Sequence, residues 1–454
     1  MESSSTFGKK ATSLRIGDVA WGFFPSIQAG WVVTNENWAP KNKNFNYLRL
    51  NAGYEVTGND NINNKAARTS FEVLKFLHNN IPAVQLNNIG NENITYEKTR
   101  RFYTGFESQW LENRLGLDFT FFFNHTTNLL TLKDFTTPVA GVKSYWSNEG
   151  SLDNKGVEVH INGKPIVSRK FTLELGASIG HYLNVIKSLP NNTTLALNGQ
   201  ENAAVGYTSS IYGNQNIATL VNHSAGVFYG YKTAGVFSTD AEAKAAGKDG
   251  YLYQVDETGA KSYFKAGDMH FVDLNGDGII NESDKTIIGN PNPKLYGNFF
   301  AHATWGNLTL SAIFGYSIGN DIYNYQRSIL EGGNNFYNQT SAMTDRWRVE
   351  GQVTNMPRIS YGDEMGNSRF SDRWIEDGSY LKLRSLNVNY KIPVNSSWLQ
   401  GLQVWAEANN LFTISKYLGG DPEMSVSNAV LYQGIDTGCV SQGRTFTVGV
   451  KINL

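Results

Sequence analysis

The feature that most constrains this chain is a two-residue alternation of apolar and polar side chains that recurs along its length. In residues 114–124, Leu115, Leu117, Phe119, Phe121 and Phe123 share one face, while Arg114, Gly116, Asp118, Thr120 and Asn124 share the other. Successive side chains of a strand point to opposite faces, so this is a β-strand with one greasy and one largely wet side. The pattern sets Leu48, Leu50, Ala52, Tyr54 and Val56 against Arg49, Asn51, Gly53 and Glu55, and it returns at 157–161, 171–179 and 308–316. Around 378–391 its phase is ambiguous. Gly, Asp, Glu, Asn and Thr on the polar face suit a water-filled lumen better than a sandwich core.

The alternation predicts about eleven strands, near 22–34, 46–56, 99–110, 113–124, 152–163, 169–181, 295–304, 307–318, 378–391, 401–410 and 443–454. Tilted membrane-spanning strands need roughly nine to eleven residues, and these match or slightly exceed that. The connections carry more information. Short links at 35–45, 111–112, 163–168, 305–306 and 392–400 alternate with long ones at 57–98, 125–151, 182–294, 319–377 and 411–442. Short turns on one rim and long loops on the other are how outer-membrane barrels are built. The fold class expected is therefore all-β, an antiparallel transmembrane β-barrel with short periplasmic turns and long extracellular loops.

Composition supports one large β structure rather than the two or three domains that 454 residues would otherwise suggest, because Gly (45), Phe (25), Tyr (23) and Trp (10) are abundant and only 17% of residues are charged. No apolar run approaches the ~20 residues of a transmembrane helix. A formal net charge of -1 with no Lys/Arg cluster excludes a nucleic-acid surface. The lone cysteine, Cys439, excludes a disulfide framework and a cysteine-based zinc site. The start, MESSSTFGKK, has no apolar h-region, which leaves a cytosolic protein or an export signal lying upstream. Trp110, Trp305 and Trp398 fall at or in short turns, as in an interfacial aromatic girdle, although edge packing accounts for each equally well. At the C-terminus, Phe446, Val448, Val450, Ile452 and Leu454 alternate to the last residue, as suits the closing strand of a barrel.

One stretch has calcium-ligand spacing. In FVDLNGDGIINESDKTIIG, Asp273, Asn275 and Asp277 take positions 1, 3 and 5 of a calcium loop, and Gly278 permits the turn at position 6. Ile279 offers its carbonyl at position 7, Asn281 a direct or water-mediated contact at position 9, and Asp284 a carboxylate at position 12. Aspartate at position 12 and the absence of flanking amphipathic helices point to a structural Ca2+ that pins a loop, not to a sensor. The competing reading is a metal-free turn, since Asn and Gly tolerate positive φ unaided. The loop lies late in the 182–294 connection, which also carries a short helix from an N-cap at Thr239 to Ala246, terminated by Gly247.

Enzyme signals are weak. Gly176–Gly180 spells G-x-S-x-G, but Ser178 sits inside an alternating strand, whereas a nucleophile elbow needs a strand-to-helix turn. The histidines at 78, 125, 160, 181, 223, 270 and 302 show no ligand spacing, and His160 and His302 fall on the lumen phase or at a loop base. Tyr229, Tyr231, Tyr323, Tyr325 and Phe336 suit sugar stacking or ordinary loop packing alike.

Seven blocks in order, FFPSIQAGW (23–31), NEGSLDNKGVEV (148–159), YGYKTAGVFST (229–239), GDMHFVDLNGDGIINESDKTIIGNPNPKLYGN (267–298), DRWRVEGQVTNMPRIS (345–360), DRWIEDGSYLKLRSLNVNYKIP (372–393) and NNLFTISKYLGGDPE (409–423), resemble the SusC/RagA group of TonB-dependent outer-membrane transporters. That barrel has about 22 strands, so the resemblance is to its C-terminal half, residues 1–454 lacking the plug domain and the first half of the barrel. The resemblance implies a Gram-negative outer membrane, energy from the TonB complex through the missing N-terminal part, a SusD-like lipoprotein partner, and an oligosaccharide or peptide substrate moved without catalysis. Residues 182–294 become a long extracellular loop bearing the calcium-type motif. A siderophore or cobalamin receptor, and a soluble calcium-stabilised carbohydrate-binding β protein, remain as alternatives.

Overall fold

The computed structural model describes residues 2–11, 21–40, 42, 44–62, 64–75, 82–139, 141–189, 194–197, 200–209, 216–248, 250–394, 398–427 and 429–453. Two positions named above, His78 and Leu454, lie outside them. Twelve strands form one antiparallel wall in chain order: β1 (Glu2–Ala11), β2 (Trp21–Val32), β3 (Phe45–Asn59), β4 (Glu97–Trp110), β5 (Leu115–Thr127), β6 (Ser151–Val167), β7 (Phe171–Ser188), β8 (Leu295–Trp305), β9 (Leu308–Ile318), β10 (Tyr380–Ile392), β11 (Gly401–Asn409) and β12 (Thr445–Asn453). A short strand at Thr413–Ser415 adds to β10. Among the described residues β1 and β12 each pair on one side only, so the wall is open.

The eleven strands expected are all present, and β1 is one more. Its sequence, ESSSTFGKKA, holds a single large apolar residue and so carries no alternation, yet its backbone pairs with β2 from Glu2↔Gly30 to Ala11↔Trp21. The ambiguous phase near 378–391 has a local cause. Ile313 faces Ser385 while Phe314 faces Leu383, so Arg384 is the extra residue of a β-bulge. A bulge puts two successive residues out of step with the pleat and shifts the face on which every later side chain falls.

The rim parity holds as expected. The tight turns include Trp305–Leu308, where Gly306 takes φ +57°, and 110–115, where Leu111, Glu112 and Asn113 are all left-handed. On the opposite rim the long connections build structure of their own.

The wall exposes its apolar face. Ile179, Leu183, Leu310, Val448 and Val450 are all more than 40% exposed, and Trp305 and Trp398 near the short-turn rim reach 68% and 69%. Contiguous apolar surface of this extent marks an interaction with lipid or protein. The buried core lies in the loops instead. Of the largest fully buried side chains, only Lys382 belongs to a wall strand; Trp374, Phe228, Phe237, Phe264 and Phe271 all come from the connections. Among the described residues no helix is long and apolar enough to cross a membrane.

Candidate functional site

Three features on the polar side of the wall and its long-loop rim bear on function. The first is the inner wall. Polar side chains meet across strands there: Arg49 pairs with Glu107 at 3.6 Å and Arg101 with Glu55 at 3.4 Å, whereas His125 Nδ1 and Asp153, 2.7 Å apart, are in phase with the outer face at its long-loop end. His302 Nδ1 lies 2.7 Å from Ser311 Oγ, and His160 Nδ1 2.8 Å from Ser178 Oγ. Asp118 stands opposite His160 and His160 opposite Ser178. Although this aligns a carboxylate, an imidazole and a hydroxyl, Ser178 sits in the middle of an unbroken strand, with no elbow and no following helix.

The inner wall also carries a cavity of about 730 Å³, lined by residues of β5 to β10 including Asp118, Glu158, His160, Tyr182, Tyr296 and Tyr316. The alternation had placed Asp118 on the polar face without marking it further. What would have singled it out is register across four strands, which no local pattern reports.

The second feature is a loop domain assembled from three connections. Trp374, wholly buried, packs with Ile217, Phe228, Tyr323 and Ile435. Its indole N–H donates to the Arg369 carbonyl at 3.1 Å. The segment 321–324 pairs antiparallel with 375–377 and parallel with 435–436, which ties the last two long connections together. A second cluster joins Phe237, Leu252, Phe264, Met269, Phe271 and Ile280 to Met365. Buried Asp268 fastens it by accepting two bonds from the Arg358 guanidinium, at 2.7 and 3.1 Å, and one from Asn367 at 2.9 Å. Helix α1 (Asp240–Ala246) begins as expected, with the Thr239 hydroxyl accepting from Glu242 N–H at 3.1 Å. Gly247 ends it in an extended conformation, not a left-handed one.

The sugar-stacking candidates divide. Tyr231, Tyr323 and Tyr325 line one cavity of about 500 Å³ in the loop domain, together with Glu282, Lys285 and Arg369. Tyr229 is buried in a separate cluster, and Phe336 stands 90% exposed with its ring 4.9 Å from Tyr361. Burial and nearby Glu282 push the Tyr231 hydroxyl up to about 12.

The third feature is the acidic loop. Asp273 accepts from the N–H groups of Gly276 and Gly278, both at 2.7 Å, and Asp277 accepts from Ile279 N–H at 2.7 Å. Asn275 receives Asp277 N–H at 3.1 Å and turns its own NH2 toward Asp277 at 2.9 Å. Asn281 caps the short turn Glu282–Asp284 by accepting from Ser283 N–H at 2.8 Å. Wholly buried Asp284 accepts from Leu274 and Asn281 N–H at 2.9 and 2.8 Å. Gly276 and Gly278 take φ of +74° and +81°, as the tight loop requires. The Ile279 segment is clasped to Tyr253, whose carbonyl accepts Ile280 N–H at 2.8 Å.

All six sequence-predicted residues thus lie in one short loop. In this conformation the aspartates engage the loop's own amides, and among the described residues no three acid or imidazole side chains converge as a metal set. The donor chemistry nevertheless suits a hard cation. Burial, then Asp273 and Asp277, push the Asp284 carboxyl above its usual range against the pull of its two N–H donors. No lysine or arginine pairs with these three carboxylates among the described residues; Lys285 goes to Glu282 at 2.8 Å.

An open antiparallel wall with an apolar outside, a polar inside and a structured long-loop rim defines the fold class: part of a β-barrel of the outer-membrane type. No family model matches the chain. It is 27% identical over 445 residues to the TonB-dependent receptor P3 of Formosa agariphila, which covers 95% of this chain and 42% of that receptor. To the TonB-dependent receptor SusC of Bacteroides thetaiotaomicron it is 26% identical over 472 residues, covering 99% and 41%. The solved RagAB peptide importer in its closed-closed state superposes with a TM-score of 0.75 at 21% identity, over 99% of this chain and 46% of that one. The chain is thus similar over nearly its whole length to TonB-dependent receptors, SusC among them, and shares the fold of about half of the RagAB-type barrel. It spans about 42% of the length of the curated relatives it matches, and those relatives are receptors, not enzymes.

Proposed function

We propose that the chain forms one half of an outer-membrane importer, driven by TonB, that takes up an oligosaccharide or peptide together with a SusD-like surface lipoprotein. The observation that carries this is the division of the wall into an exposed apolar outside and a polar inside, beneath a loop domain with its own core. A protein that only bound glycan in water would gain nothing from an apolar outer surface of that size. The peptide importer among the structural neighbours and SusC among the sequence relatives support a nutrient cargo. The loop domain supplies a stable surface for a lipoprotein lid.

Within this reading Asp273, Asn275, Asp277, Ile279, Asn281 and Asp284 hold a structural Ca2+. Three carboxylates crowded without a cation repel one another, and the ion would offset that repulsion while bracing the loop domain. The experiment for import is fractionation and uptake in the native bacterium. The receptor carrying this chain should appear in the outer-membrane fraction, migrate heat-modifiably and co-purify with a lipoprotein, and its loss should abolish growth on one glycan or peptide source. Recovery as a soluble glycan-binding monomer would contradict the proposal.

A further inference from the structure

Strand register sorts the charged side chains of the wall by face. Within the paired registers of β2 to β12, among the described residues, the apolar outer face carries charge in one place: Lys98 and Arg100 on β4, with Asp153 and Lys155 on β6. Arg100 stands opposite His125, and His125 opposite Asp153, so the group crosses three strands in one row. Lys187, near the end of β7, joins the row through Asp153.

Depth gives this group its meaning. Ten residues separate Trp110 from Arg100 on β4 and Leu115 from His125 on β5. At a rise of ~3.3 Å per residue and a tilt of ~40° that is ~25 Å, the height of the apolar band of an outer-membrane barrel. The outward positions between them, Phe102, Thr104, Phe106 and Ser108 on β4 and Leu117 to Phe123 on β5, carry no charge. With Trp110 at the short-turn interface, Arg100 and His125 stand at the opposite one, beneath the long loops, where lipid headgroups begin. Strands β4 to β7 have wall neighbours on both sides, and this face is turned away from the lumen, so neither a plug nor further barrel strands would cover it.

The charge balance is positive. Asp153 is offset inside the group, with Oδ1 2.7 Å from His125 Nδ1 and Oδ2 3.6 Å from Lys187 Nζ. Among the described residues no carboxylate is paired with Lys98, Arg100 or Lys155. Arg100 and Lys155 are exposed and Lys98 is half-buried. Lys98 and Arg100 lie ~7 Å apart along one face, and Lys155 sits two strands over, ~10 Å away. Such long side chains rest their stems on apolar surface and hold their heads at headgroup level. A planar guanidinium fork beside two ammonium groups suits a phosphate.

We propose that Lys98, Arg100 and Lys155 form a site on the outside of the wall for the phosphate of an anionic outer-leaflet lipid, whose acyl chains lie along Phe102, Phe123 and Val157. The proposal rests on the outer-membrane reading but not on what is imported.

The test uses the whole receptor carrying this chain, extracted in detergent and stripped of native lipid, with three probes: phosphorylated lipid A, the same lipid dephosphorylated, and inorganic phosphate. Native mass spectrometry should show the phosphorylated lipid held at least about tenfold more tightly than the dephosphorylated one, since each cation beside an anionic lipid surface is worth about fivefold in affinity. Inorganic phosphate at the same concentration should not displace it. Lys98→Gln, Arg100→Gln and Lys155→Gln should each cut the preference by about fivefold and together erase it, whereas Lys164→Gln near the short-turn rim should leave it unchanged. The comparison of the two lipids on the unaltered receptor needs no variant to fold. Equal retention of both lipids, a preference that survives the triple variant, displacement by inorganic phosphate, or cross-linking of Lys98 and Lys155 to the lipoprotein partner in native membranes would overturn the lipid site while sparing import. Absence of the receptor from the outer-membrane fraction would instead sink the import reading.

Discussion

Replacing Lys382 by methionine tests how the last long connection is held to the wall. Among the described residues Lys382 is the one fully buried cation of a wall strand, 2% exposed, with Nζ 2.9 Å from both Asp421 Oδ2 and Glu423 Oε2. The partners are not equally dependent on it. Glu423 keeps the Arg384 guanidinium and accepts from the Tyr380 hydroxyl at 2.6 Å, whereas Asp421, 5% exposed, retains only the Glu423 N–H at 3.1 Å. Removing one partner of a buried pair costs about 3–5 kcal/mol because the other charge is left uncompensated. The lower figure applies here, since one of the two carboxylates stays paired. About 3 kcal/mol is roughly a hundredfold in an opening equilibrium. Hydrogen exchange of residues 413–437 in the intact receptor should accelerate by about that factor, while strands β5 to β9 keep their protection. Lys382→Met combined with Asp421→Asn should recover most of the loss, because a buried pair replaced as a pair is close to neutral. Unchanged exchange in the single variant, or no recovery in the double, would refute the idea that this charge cluster anchors the loop.

Other outcomes follow from the same structure. Trp374→Ala should cost about 3–5 kcal/mol by opening a cavity at the junction of three connections, seen as protease cuts in 216–377 with the wall intact. Glu423 is held below the usual carboxylate range, since burial is outweighed by Arg384, Lys382 and Tyr380. Its contribution is present above the unfolded pKa and lost as pH falls through the lower folded one, so acidification should loosen 413–437. Asp284 has the opposite sign: its folded pKa is raised, so the metal-free loop is firmest in acid and loosens as pH rises. Calcium should reverse that trend at neutral pH, and Asp273→Ala with Asp277→Ala should abolish the calcium effect; proteolysis of 273–284 with and without chelator reads both. Leu310→Lys on the outer face should cost about 2–4 kcal/mol if it faces the hydrocarbon midplane, against almost nothing for Thr309→Lys on the inner face.

How far the architecture could be read from sequence depended on the physical range of each determinant. Strand existence and rim parity are local, written in alternations such as Leu115 to Phe123, and they carried through. β1 escaped because Glu2–Ala11 takes its place from the hydrogen-bonding edge of β2, not from its own side chains. The phase near 384 stayed ambiguous because a bulge is set by the facing strand. The acidic loop was legible as a set of residues, since all its contacts span a few positions, but its internal pairing with backbone amides was not. Nothing local could show that Ile217, Trp374 and Ile435 share one core, or that Asp118, Glu158 and Tyr296 meet around one cavity. Those depend on register and on loops that close over more than a hundred residues.

The central claim is that the wall has a lipid side and a water side that alternate residue by residue. Single cysteines along β7, in a receptor whose Cys439 is replaced by serine, test it most directly. In native outer membranes, cysteines at positions 173, 175 and 179 should resist a water-soluble maleimide, and a lipid-borne quencher should dim a probe attached there. Cysteines at 172, 174 and 178 should label readily and escape the quencher. Uniform reactivity along the strand, with no two-residue period, would contradict the account.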